Sequence, residues 1–193
     1  MDMKNRQIMA NVAGHYARQI GLFEALSVTN LNKDERDAGN SLGFRAIAST
    51  IGDGVFINAA GGFVSPLLDD YYNFKNVLYH EKRHLFLDHG NIRISYLDHA
   101  SVYVHQLDDP LFLKTTKDYK QTIANGIVHY LSLAANDELN QPFTDLTKIQ
   151  NVVDELNKKT KTTGYVFNFQ IDTHSSPDPK HNTILITKKL INK

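Results

Sequence analysis

Apolar residues along this chain recur mostly at three- and four-residue steps, and the stretches that keep this spacing predict helices. Residues 4–26 carry Ile8, Val12, Tyr16, Ile20 and Phe23 in that rhythm, with an interruption near Gly21. Residues 69–87 lack Gly and Pro and repeat Phe74, Val77, Leu78 and Leu85, while Asp88-His89-Gly90-Asn91 reads as a helix stop with Gly90 at a left-handed cap. Residues 94–107 form a second periodic segment, opened by Ser95 as an N-cap and closed by Asp108-Asp109-Pro110. Further helices are expected over residues 116–135 and 144–159, the latter patterned by Leu146, Ile149, Val152, Val153 and Leu156.

Elsewhere the period drops to two. Residues 44–48 and 55–58 read as short strands joined through Gly52-Asp53-Gly54, a hairpin-turn signal. Residues 164–171 and 183–187 alternate on either side of Ser175-Ser176-Pro177-Asp178-Pro179 and should pair as a C-terminal hairpin. Residues 29–41 are polar and read as a loop, and Gly61-Gly62 with Pro66 as a turn ahead of the next helix, with substrate approach as the competing role of the two glycines. The pattern predicts an α+β fold: a small β-sheet, several helices and a terminal hairpin.

Composition narrows the picture. With 193 residues, 41% of them hydrophobic and 22% charged, the chain suits one domain over residues 1–193. A net charge of +0 leaves no basic surface for nucleic acid, and Lys158-Lys159 with Lys161 and Lys188-Lys189 read as solvated element ends. No cysteine is present, which removes disulfides and thiolate metal ligands. No apolar run reaches the roughly 18 residues of a membrane span, and the N-terminus has no apolar core of signal-peptide length. The expectation is a chain without membrane partners; as the tail of a larger delivered polypeptide, it would have its export signal elsewhere.

Chemistry concentrates in His80-Glu81-Lys82-Arg83-His84, the H-E-x-x-H pattern of zinc-dependent peptidases, set inside a predicted helix. Positions four apart lie on one helix face, so both imidazoles can reach one Zn²⁺ while Glu81 stands beside it as general base. The competing reading is a solvated helix with Glu81 paired to a cation. A catalytic zinc usually takes a third protein ligand, and His99 in the next helix is positioned to provide it, with Asp98 as its competitor. His89 and His105 are candidates for indirect roles, and Tyr103 for an oxyanion donor or a packing residue. His15, His129, His174 and His181 are dispersed, and Asp172, His174, Asp178 and His181 fall in a turn-like stretch.

The run from Asn73 through Val77-Leu78-Tyr79-His80-Glu81-Lys82-Arg83-His84, followed by Asp98-His99-Ala100-Ser101-Val102-Tyr103-Val104-His105-Gln106 and Pro110-Leu111-Phe112-Leu113-Lys114-Thr115-Thr116, resembles metallopeptidase toxin domains. Such domains close Rhs-type and other polymorphic toxins of Bacteroidetes. The resemblance covers residues 69–133, about a third of the chain, and favours His99 over Asp98 as third ligand. It implies a zincin-like fold, a protein or peptide substrate, delivery into a target cell and a cognate immunity protein. The chain departs from better-known zincins: it lacks the metzincin extension, and no Glu stands at the third-ligand position typical of thermolysin-like enzymes. A catalytically inactive zincin-like module that binds a partner protein is the alternative.

Overall fold

The first amphipathic stretch forms helix α1 (Met3–Gln19), capped by Asp2, whose carboxylate accepts from the Asn5 N–H at 2.8 Å. The computed structural model describes residues 1–30, 47–87, 95–139, 146–172 and 183–191, which fall into two compact units. The first unit comprises Met1–Arg93 and Asp109–Tyr119, the second Ile94–Asp108 and Lys120–Lys193.

In the first unit α1 stops earlier than its periodicity suggests. Gly21 adopts a φ of 70°, which ends the helix, and Lys82 donates to the Ile20 carbonyl at 2.7 Å. Strand β1 (Ala25–Thr29) follows, although residues up to 26 carry the helical pattern. Its partner overrides that pattern: β1 runs parallel to β3 (Gly54–Asn58), with Leu26 opposite Val55 and Val28 opposite Ile57. Strand β2 (Ala48–Ile51) pairs antiparallel with β3 through a turn at Gly52, φ 55°, giving the order β1-β3-β2. The hairpin is thus where the glycines put it, but its first strand lies at 48–51 rather than 44–48, of which 44–46 lie outside the described residues. The central strand β3 buries Gly54, Val55, Ile57 and Asn58, and β2 is an edge.

Gly61 and Gly62, at φ 82° and 91°, turn the chain toward a 3₁₀ turn (Pro66–Asp69) and then helix α2 (Tyr71–Leu87). The Asp70 carboxylate accepts from the Asn73 N–H at 2.9 Å and fixes where α2 begins. Within this unit α2 packs against α1 and β2. The Asp109–Tyr119 segment returns to the same helix, with Phe112 fully buried. The expected stop at 88–91 lies outside the described residues.

In the second unit α3 (Tyr96–Gln106) starts at a capping box: Ser95 accepts from the Asp98 N–H at 3.1 Å while the Asp98 carboxylate accepts from the Ser95 N–H at 3.3 Å. Helix α4 (Lys117–Leu139) enters this unit from Lys120 onward. Helix α5 (Thr147–Lys158) buries Ile149, Val153 and Leu156, three of the positions its periodicity marked. It packs on β4 (Tyr165–Asp172), and the Asn157 amide brackets Phe167, donating to its carbonyl at 2.8 Å and accepting from its N–H at 2.9 Å. Strand β5 (Thr183–Leu190) completes the antiparallel hairpin; its turn lies outside the described residues. The class is α+β, as expected. Among the described residues no helix is long and apolar enough to cross a membrane.

Candidate metal centre

Helix α2 buries a polar stripe. Asn73, Asn76, His80, Glu81 and His84 recur at helical spacing and all are buried, so this face of the helix is neither apolar nor solvated. Polar groups can stay there only with partners. Asn76, fully buried, donates to the Asp109 carboxylate at 2.8 Å and accepts from the Tyr119 hydroxyl at 3.2 Å. Asn73 donates to the Leu67 carbonyl and the Thr116 hydroxyl, each at 3.0 Å, and accepts from the Thr116 N–H at the same distance. These bonds tie the Asp109–Tyr119 segment to the helix one and two turns before His80.

His80 and His84 are each 7% exposed, and their Nε2 atoms approach to 3.0 Å. Burial lowers the His84 pKa to about 4, so that imidazole is neutral at pH 7 and carries a lone pair. Two buried ring nitrogens converging from positions i and i+4 form a donor pair that could take a metal ion. Glu81 lies beside them, 4% exposed. Burial raises its carboxyl to about 7, against hydrogen bonds from the Thr50 hydroxyl and backbone that favour the charged form. The hydroxyl donor lies 2.9 Å from Glu81 Oε2. The carboxyl can therefore gain or lose a proton near neutral pH, as a general base must.

His99 belongs to the second unit, where it is half-buried on α3 and stacked on Tyr130 of α4, with ring centroids 3.7 Å apart and planes at 13°. Tyr103, one turn on, is 6% exposed and lies over Gly126 of α4, where an added Cβ would fall 2.7 Å from its Oη. Asp98 is exposed and engaged in the capping box, its Oδ2 accepting from the Ser95 hydroxyl at 2.7 Å. His105 is half-buried on α3, His129 is 3% exposed on α4, and His15 is exposed on α1, 2.9 Å from Gln19. His89, His174, Asp178 and His181 lie outside the described residues, as does the Asp172 side chain.

The structure thus gathers His80, Glu81 and His84 on one buried helix face and adds residues that the sequence reading did not single out. Thr50 and the Asn76–Asp109–Tyr119 cluster carry no local signature; their roles come from tertiary neighbours within the first unit. A family model described as metallopeptidase toxin 2 matches residues 1–168, most of the chain. Among curated proteins and among solved structures, none matches.

Proposed function

This chain belongs to the metallopeptidase toxin 2 family, and on that premise we propose that it is a zinc-dependent peptidase of zincin-like fold that acts as an antibacterial toxin on a protein of the target cell. The observation that carries this reading is the buried His80–His84 pair with Glu81 beside it on α2. The donor set suits zinc. Tetrahedral zinc with Zn–N bonds of about 2.0–2.1 Å separates two ligand nitrogens by about 3.3 Å, so the pair, now at 3.0 Å, needs to open by only about 0.3 Å. Neutral imidazoles are what zinc requires, and burial keeps His84 neutral.

Zinc held there would supply Lewis acidity, acidifying water and polarising a peptide carbonyl. The chain's own residues do the rest. His80 and His84 bind the ion, and His99 is the proposed third ligand. Asp98 is the weaker candidate for that place because its carboxylate is already committed to the cap of α3. Glu81 takes a proton from water as the water attacks the carbonyl and passes it to the leaving amine. Tyr103 is read as a packing residue, since its ring rests on Gly126. We further propose that both units serve one peptidase domain over residues 1–193, that the domain is delivered into target cells, and that a cognate immunity protein guards the producer.

Glu81→Gln tests the reading because it keeps size and hydrogen-bonding capacity while removing the base. Metal analysis of protein purified without chelator should find one zinc per chain in parent and variant. Turnover of fluorogenic casein should fall by roughly 100- to 10,000-fold, and growth inhibition in a bacterium without an immunity partner should be relieved. A variant as toxic as the parent at equal abundance would instead favour an inactive module that binds a partner protein.

A further inference from the structure

The Thr50 hydroxyl lies 2.9 Å from Glu81 Oε2 and 3.1 Å from the Glu81 backbone carbonyl, so both acceptors are within reach of its one proton. Thr50 is half-buried on the edge strand β2, opposite Val55 of β3, so the sheet fixes its backbone. A glutamate side chain has three rotatable bonds, and on a helix nothing intrinsic selects the rotamer that a proton transfer needs. Here one strand residue places its hydroxyl between the Glu81 carboxylate and the Glu81 backbone carbonyl, within hydrogen-bond distance of each.

We propose that Thr50 is a positioning residue, resting on the peptidase reading above, that holds the Glu81 carboxylate in its working rotamer from the sheet edge. A hydroxyl has one proton and two acceptors in reach; the shorter contact is to the carboxylate, at 2.9 Å against 3.1 Å, and that is the bond that holds the rotamer. In this role Thr50 acts through Glu81, so its removal should act on turnover and leave zinc binding alone.

The experiment compares Thr50→Val, which keeps the branched shape and loses the hydroxyl, with Thr50→Ser, which keeps the hydroxyl and loses a methyl. Parent and Glu81→Gln run alongside. With fluorogenic casein as the substrate, T50V should lower kcat by about 10- to 100-fold, the usual cost of losing an indirect partner. KM and bound zinc should remain those of the parent, and T50S should restore kcat to within about threefold. A readout independent of turnover is the ¹³C carboxyl resonance of Glu81 in chelated, glutamate-labelled protein, identified by its loss in E81Q. It should move in T50V and return in T50S.

Parent-like kcat in T50V, or T50S as impaired as T50V, overturns the positioning role while leaving the peptidase intact. An unmoved Glu81 resonance in T50V overturns it as well. A parent without turnover, or E81Q as active as the parent, removes the peptidase reading itself and this assignment with it.

Discussion

Metal-free protein should hide two large titrations behind a nearly level dependence of stability on pH, and Glu81→Gln should expose one of them. The Glu81 carboxyl titrates near 7 in the fold instead of 4.5, because burial disfavours its charge more than Thr50 supports it. Between those values the folded chain keeps a proton that the unfolded chain has released, so stability falls as pH rises through the window and levels off above it. At about 1.4 kcal/mol per pH unit the window is worth about 3 kcal/mol. His84 runs the other way. Its pKa drops from 6.5 to about 4 on burial, so stability is fully present above 6.5 and is lost as pH falls toward 4, again by about 3 kcal/mol. Where the windows overlap, the slopes oppose and the pair contributes little net change. In Glu81→Gln only the histidine slope remains. Urea denaturation of chelated parent and variant across pH, taken as a difference, cancels the titrations remote from Glu81 and drops the fixed offset of the substitution. The variant's advantage should grow by about 3 kcal/mol from pH 4.5 to 7. A level difference would show that Glu81 is not held in a desolvated site, and a falling one that its fold favours the carboxylate. Saturating zinc should flatten the difference, since a cation beside the carboxyl favours its charged form.

Asn76→Leu should cost about 2 kcal/mol in chemical denaturation, because it strips a buried partner from the Asp109 carboxylate and the Tyr119 hydroxyl; a loss below about 0.5 kcal/mol would show that other partners suffice. Gly126→Ala, which in an exposed helix would gain about 1 kcal/mol, should instead destabilise by about 1–2 kcal/mol, since its Cβ would meet the Tyr103 hydroxyl at 2.7 Å; a higher melting temperature would refute the packing. His99→Ala should weaken zinc binding far more than Asp98→Ala, by more than the 10- to 100-fold typical of an indirect partner, in competition with a calibrated chelator; the reverse order would hand the third position to Asp98.

What the sequence disclosed and what it withheld follow a single physical line. The helices over 147–158 and 96–106 could be read because their determinants are local: Ile149, Val153 and Leu156 recur at the helical period, and Ser95 with Asp98 closes a cap within one turn. The hairpin turn at Gly52 announced itself in the same way. Strand β1 did not, because what makes Ala25–Thr29 a strand is parallel pairing with Gly54–Asn58, a partner no local window contains.

Helix α2 shows the sharper case. Hydrophobic periodicity alone gives no reason to bury polar residues, yet Asn73, Asn76, His80, Glu81 and His84 are buried, and distant parts of the first unit supply partners to three of them: Thr116 to Asn73, Asp109 and Tyr119 to Asn76, and Thr50 to Glu81. The H-E-x-x-H spacing could be seen without those partners; the environment that gives the motif chemical force could not. A solvated glutamate titrates near its ordinary value and is a weak base at neutral pH, and only the desolvation of burial in the fold raises Glu81 to about 7. The same burial would be ruinous for an unpartnered carboxylate. The Thr50 hydrogen bond offsets part of that cost, and its position on an edge strand, with no signature of its own, is why it emerges only from the fold.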